Sequence, residues 1–154
     1  MSTYNRFEDL KVWKDARQLN QALFSIFLKS DTSKFGFIIN HIFKTSGSIM
    51  DNIAEGFERE GNKEFIQFLS IAKGSSGELR SQLYRAFDLG LINSDQQEEL
   101  RLKLNHISSQ LSLFISYLKR SGFKGNKFKE PTVMYGELDD DFFVDLSNDN
   151  TSNS

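Results

Sequence analysis

Between Asn5 and Gly122 apolar residues recur three and four apart, the spacing of one buried face on an α-helix, and no convincing run of four or more residues alternates as a strand does. Asn5, with Glu8 three residues on, reads as a capping box for a first helix that carries Trp13, Ala16, Leu19, Leu23, Ile26 and Phe27 on one face. It ends near Lys29, before the polar turn 30–34. A second helix is predicted from about Phe37 to Phe57, with Ile39, Ile42, Ser46, Ile49 and Ile53 in line and Gly56 near its end. Asn62 is placed to cap a third, whose stripe runs from Phe65, Phe68 and Leu69 through Ala72, Ser76, Leu79 and Leu83 to Ala86 and Phe87, with Gly90 as terminator. Ser94 with Gln97 reads as another capping box, opening a fourth helix through Leu100, Leu104, Ile107, Leu111, Phe114 and Leu118 to Gly122.

Helices of roughly 20 to 28 residues are about 30 to 40 Å long, and short connections force neighbours to lie antiparallel. The expected fold is therefore all-α, an up-down-up-down four-helix bundle over residues 1–121. Residues 122–154 read as a tail, either flexible or docked: Lys124, Lys127 and Lys129 lead to the sole proline, Pro131, and then to an acidic run, Glu137 to Leu146, that includes Phe142, Phe143, Val144 and Leu146.

Charge sharpens this division. All 19 Lys and Arg precede Glu130, and only acidic charges follow, so a net charge of -2 conceals a basic body and an acidic tail. With 154 residues, 38% hydrophobic and 15 of them Phe, the chain can build one proper core without staples. The absence of cysteine excludes disulfides, thiolate metal sites and a Cys nucleophile, and fits a reducing compartment. Met1 to Lys11 has no apolar signal-peptide core, and no stretch approaches the roughly 20 apolar residues of a membrane span, so a cytoplasmic protein with no membrane partner is expected.

Candidate chemistry is sparse. Asn52, Glu55, Arg59, Lys63 and Glu64 gather at the junction of the second and third helices, where Glu55 and Arg59 form an i,i+4 pair in the favourable order; a structural role is the stronger reading. Gly74-Ser-Ser-Gly77 interrupts the third helix with two residues each about 1 kcal/mol poorer than alanine, and close approach of a neighbouring helix at Ser76 is the simplest compensation. His41 and His106 lie just off the core stripes, and no Glu-x-x-His motif accompanies them, so neither a metal nor another cofactor is expected. No motif places a catalytic set. Lys11, Lys14 and Arg17 give the first helix a basic edge, to which Arg80 and Arg85 add on the third, and these are the candidate nucleic-acid contacts. Val12, Phe24, Phe43, Phe57, Ile115 and Tyr117 fall off the main stripes and exceed what one bundle needs. They are the candidate oligomer interface, with a folded-back aromatic tail as the rival cover.

Three segments carry a family resemblance: Phe7-Glu-Asp-Leu-Lys-Val-Trp13, Ser48-Ile-Met-Asp-Asn-Ile-Ala-Glu-Gly56, and Lys63 to Ser75 followed by Glu78-Leu79 and Gln82-Leu83. In this order they resemble the bacterial four-helix-bundle proteins named after the intervening sequences of 23S ribosomal RNA genes, over about residues 7 to 120. Trp13, Asn52, Glu55, Gly56, Lys63, Glu64, Gly74 and Glu78 belong to these motifs and are read as structural. The resemblance implies a homopentameric ring around a central channel and no established enzymatic activity. The chain is similar, more distantly, to accessory proteins of diversity-generating retroelements, pentamers that engage a reverse transcriptase and nucleic acid through a basic surface. It departs from the family in carrying Phe43 and Met50 where Arg and Pro are frequent, and in its acidic tail. The function implied is a non-enzymatic adaptor that binds RNA or DNA together with a protein partner, a ring multiplying a weak basic patch by avidity. The alternative is a protein-only scaffold whose tail recruits a basic partner or masks the basic surface.

Overall fold

The computed structural model describes residues 4–121 together with Glu130 and Pro131. The expectations for the tail's lysines and its acidic aromatic run fall outside these residues. A 3-10 turn, Phe7–Asp9, precedes four helices: α1 Lys11–Phe27, α2 Thr32–Glu58, α3 Asn62–Asp88 and α4 Ser94–Ser121. No strand occurs among the described residues. Among the described helices, none is long and apolar enough to cross a membrane.

The stripes read from the sequence bury one common core. Leu19 and Leu23 of α1, Ile49 and Ile53 of α2, Leu69 and Leu79 of α3, and Leu104 and Leu111 of α4 are all at most 1% exposed. Phe65 meets Phe57 and Phe114 edge-on at ring-centroid distances of 6.0 and 5.2 Å, joining α2, α3 and α4. Cross-helix contacts include Asn20 with Ser46, Thr45 with Gln82, and Ser48 with Ser75. These bonds satisfy polar groups that the packing of α2 would otherwise strip of water. Phe87 departs from its stripe: it is 40% exposed on the last turn of α3.

Helix ends depart from the sequence reading more often than helix middles do. The Asn5–Glu8 capping box does not form, because residues 7–9 close a tighter turn and α1 begins only after Leu10. α2 starts at Thr32, inside what read as a polar turn, because the Asp31 carboxylate accepts the Ser33 amide at 2.9 Å. The first turn is offset from the rest at Phe35 (φ -119°, ψ 15°). Gly61, not Asn62, holds the N-cap position of α3, and Asn62 reaches the Leu118 carbonyl of α4 at 3.4 Å. The capping box of α4 lies one residue earlier than expected: Asn93 Oδ1 accepts the Gln96 amide at 2.8 Å, while Gln96 Oε1 accepts the Asn93 amide at 2.9 Å. Gly90 does terminate α3. Its φ of +73° lets its own amide reach the Phe87 carbonyl and the Leu91 amide reach Ala86, both at 2.9 Å.

Candidate functional site

α3 and α4 share a recessed face. Gly74 and Gly77 present no side chain there, and a Cβ at either position would meet nothing within 4 Å among the described residues. Across from them α4 contributes Ser108, Ser112 and Ser116, spaced i, i+4, i+8 and all small. An open groove of about 580 Å³ results, with Lys73, Arg80 and Lys119 among the residues that line it. The close packing expected at Gly74-Ser-Ser-Gly77 is found at the serines and not at the glycines. α3 runs through the segment, Ser75 and Ser76 face inward with Ser75 meeting Ser48 of α2 at 3.0 Å, and Gly74 and Gly77 open onto the groove. Close approach occurs at Gly56, where a Cβ would stand 2.6 Å from the Phe68 Cβ.

Among the described residues no carboxylate pairs with Lys73, Arg80 or Lys119, and Arg80 Nη1 donates to the neutral Asn105 Oδ1 at 2.9 Å, which holds the guanidinium in place. Three cations around serine hydroxyls and exposed glycine backbone suit phosphate oxygens, which take charge-assisted hydrogen bonds without asking for one fixed geometry.

The five residues read as nucleic-acid contacts do not form one patch. Lys11 is bound to Asp15 at 2.6 Å, Arg17 lies over the Trp13 ring at 5.9 Å, Lys14 is exposed, and Arg85 sits in the last turn of α3. Only Arg80 lines the groove. Lys73 and Lys119 were missed, although Lys73 and Arg80 are seven residues apart on one face and the serines of α4 repeat at four, a signal the sequence does carry.

At the α2–α3 junction the structure supports local roles. Glu55 and Arg59 pair at 2.7 Å, Arg59 lies over the Phe68 ring at 5.3 Å, and Asn52 donates to the Ser48 carbonyl and hydroxyl at 2.7 and 3.0 Å. Glu64 folds over Gly61, and Lys63 is exposed. Glu78 meets His41 at 3.4 Å and accepts from Gln82 at 3.3 Å. Of the candidate interface residues, Val12 and Phe57 are at most 2% exposed and belong to the core, because α1 and α2 turn a wider face inward than the stripes suggested. Phe43, Ile115 and Tyr117 are half-buried against it, and Phe24, 46% exposed, stacks on Phe43 at 4.7 Å.

Between α1 and α4 lies a polar cluster that sequence reasoning did not find. His106 is buried, with Nε2 3.4 Å from Asp15 Oδ2, and beside it Gln110 and the Glu130 carboxylate meet the start of α1. Burial, and then the nearby Lys11 ammonium, hold the His106 pKa below its ordinary value, against the opposing pull of Asp15. Burial raises the Glu130 pKa, although the Lys11 and Val12 amides and Gln110 all favour its charged form. No group of three or more metal-binding side chains assembles among the described residues.

Four amphipathic helices around one core, with a cationic groove between the last two, define an all-α four-helix protein. The description "23S rRNA-intervening sequence protein" belongs to the family model that matches residues 8–113, and the chain is a member of that family. It is not a known enzyme family. A search of curated proteins finds no match.

Proposed function

We propose that this protein is a non-enzymatic adaptor, an antiparallel up-down-up-down bundle assembled as a homopentamer, whose α3–α4 grooves take the phosphate backbone of structured RNA beside a protein partner. The observation that carries the reading is the set of three cations, Lys73, Arg80 and Lys119, around a recessed polar groove, with no carboxylate partner among the described residues. The family description, with its reference to 23S rRNA, agrees with an RNA ligand. Contacts of Thr45 with Gln82, Ser48 with Ser75, and Phe57 with Phe65 support the antiparallel order, since rising numbers on α2 meet falling numbers on α3.

Exposed apolar side chains support self-association. Phe24 and Leu28 at the end of α1, Phe37 early in α2, and Tyr84, Phe87 and Leu89 at the end of α3 are between 40% and 81% exposed. Five grooves on one particle would bind a long polyanion far better than one, because every contact after the first is intramolecular.

The test is fluorescence anisotropy of a labelled RNA hairpin with the full chain at 50 and 200 mM salt, alongside light scattering for particle mass. Replacing Lys73, Arg80 and Lys119 together by Ala is expected to weaken binding at least tenfold and flatten its salt dependence, since each lost phosphate contact lowers the slope by about 0.7 to 0.9. Equal binding by the triple variant, or no binding by the full chain at low salt, would overturn the RNA assignment. A monomeric mass would overturn the pentamer.

A further inference from the structure

α1 opens without a cap of its own. Leu10 occupies the N-cap position and offers no side-chain oxygen, so the first amides of a 17-residue helix need an acceptor from elsewhere. It comes from far along the chain. Glu130 Oε2 accepts the Lys11 amide at 2.5 Å and Oε1 accepts the Val12 amide at 2.7 Å, across sequence separations of 119 and 118. Gln110, 0% exposed on α4, donates Nε2 to Glu130 Oε1 at 3.1 Å and to the Pro131 carbonyl at 2.6 Å. A single buried amide thus reads both the side chain and the backbone of a Glu-Pro pair. Its Oε1 has no partner among the described residues, so the hydrogen bonds it does make there are those that hold the segment. Proline suits the position because it brings no amide N–H into the seam that would need an acceptor.

We infer that the α1–α4 seam is a docking site for this chain's own C-terminal segment, and that Glu130–Pro131 anchor there an intramolecular competitor for the polyanion. This rests on the polyanion reading given above. The competitor is the acidic run that begins at Glu137 and includes Asp139, Asp140, Asp141 and Asp145, and no Lys or Arg follows Glu130 to neutralise it. Reach is sufficient: six residue steps from Pro131 to Glu137 span up to about 20 Å, against a helix diameter of about 10 to 12 Å. A run of that length is long enough to pass around one helix, which is what competition at the cations of the groove requires. Tethering supplies it at an effective concentration in the millimolar range, so a weak acidic competitor suffices to lower RNA affinity.

The experiment uses the full chain, the single variants Glu130→Ala and Gln110→Ala, and a variant with Asp139, Asp140 and Asp141 all replaced by Asn. Amide hydrogen exchange at Lys11 and Val12 reports docking, protection at Leu69 and Leu111 reports an intact core, and hairpin RNA affinity at 50 mM salt reports competition. Glu130→Ala and Gln110→Ala are expected to speed exchange at Lys11 and Val12 with the core still protected, and to tighten RNA binding by about five- to tenfold. The Asn variant should tighten RNA binding to a similar degree without changing that exchange. Unchanged exchange in Glu130→Ala overturns the docking site; faster exchange with unchanged RNA affinity overturns the competition. If no variant binds RNA, the polyanion reading fails and the competitor with it, while the exchange data still decide whether the site holds the segment.

Discussion

Gly56 and Gly74 both lie inside helices, yet the same substitution should move stability in opposite directions at the two positions. An alanine at 74 or 77 adds a methyl group to open space and removes the backbone-entropy penalty of glycine, so each change is expected to stabilise by about 0.5 to 1 kcal/mol in urea titration. At 56 the new Cβ would stand 2.6 Å from the Phe68 Cβ and 3.0 Å from a ring carbon of Phe65. Phe65 is fully buried, so one of the helices must shift, and Gly56→Ala is expected to destabilise by about 1 to 3 kcal/mol. Loss of stability in Gly74→Ala would mean that another molecule or segment fills the groove. The sequence could not rank these glycines, because the deciding quantity is what stands opposite each one. A residue's own neighbours along the chain carry no record of it.

Periodicity located all four helices, and their central stripes became the core, because burial over several turns leaves a repeated signal. Ends are decided by single hydrogen bonds, and there the signal is degenerate. Asn93 and Ser94 are both good cap residues, and each has a glutamine three positions on, Gln96 and Gln97. The structure chooses the first pair because Gln97 is buried on the inward face, which leaves Gln96 free to fold back on the Asn93 amide. Asn93→Ala should therefore cost about 1 kcal/mol, within the 0.5 to 2 kcal/mol range for lost caps, and Ser94→Ala only a few tenths. Thermal melts of the two variants decide between the registers, and equal losses would contradict the assignment. The groove is legible in part by the same logic: the spacing of Lys73 with Arg80 and of the three serines is visible, but nothing in it says that α3 and α4 turn those faces toward one opening.

At the scale of the whole molecule the least legible feature is the contact of Glu130 with the start of α1, since Glu130 is one acidic residue among several and the two amides it accepts lie more than a hundred positions away. Its seam also joins two groups whose titrations act with opposite sign. Facing His106 are Asp15 and Lys11 from α1, while Gln110, one turn further along α4, binds Glu130. The folded state resists protonating His106, whose ordinary value is 6.5. The unfolded chain therefore binds more protons as pH falls through 6.5, and this contribution, present above that value, is lost on acidification. Glu130 does the reverse. Its folded pKa lies above the ordinary 4.5, so its contribution is full below 4.5 and is lost as pH rises through the folded value. The two partly cancel in the wild type, which makes differences between variants the informative measurement. Compared with His106→Gln, the wild type should lose stability progressively from pH 7 to pH 5; compared with Glu130→Gln, it should lose stability as pH rises from 4 to 7. Urea midpoints at half-unit pH intervals, with m unchanged, measure both, and parallel pH profiles for the wild type and His106→Gln would place the titration outside the seam.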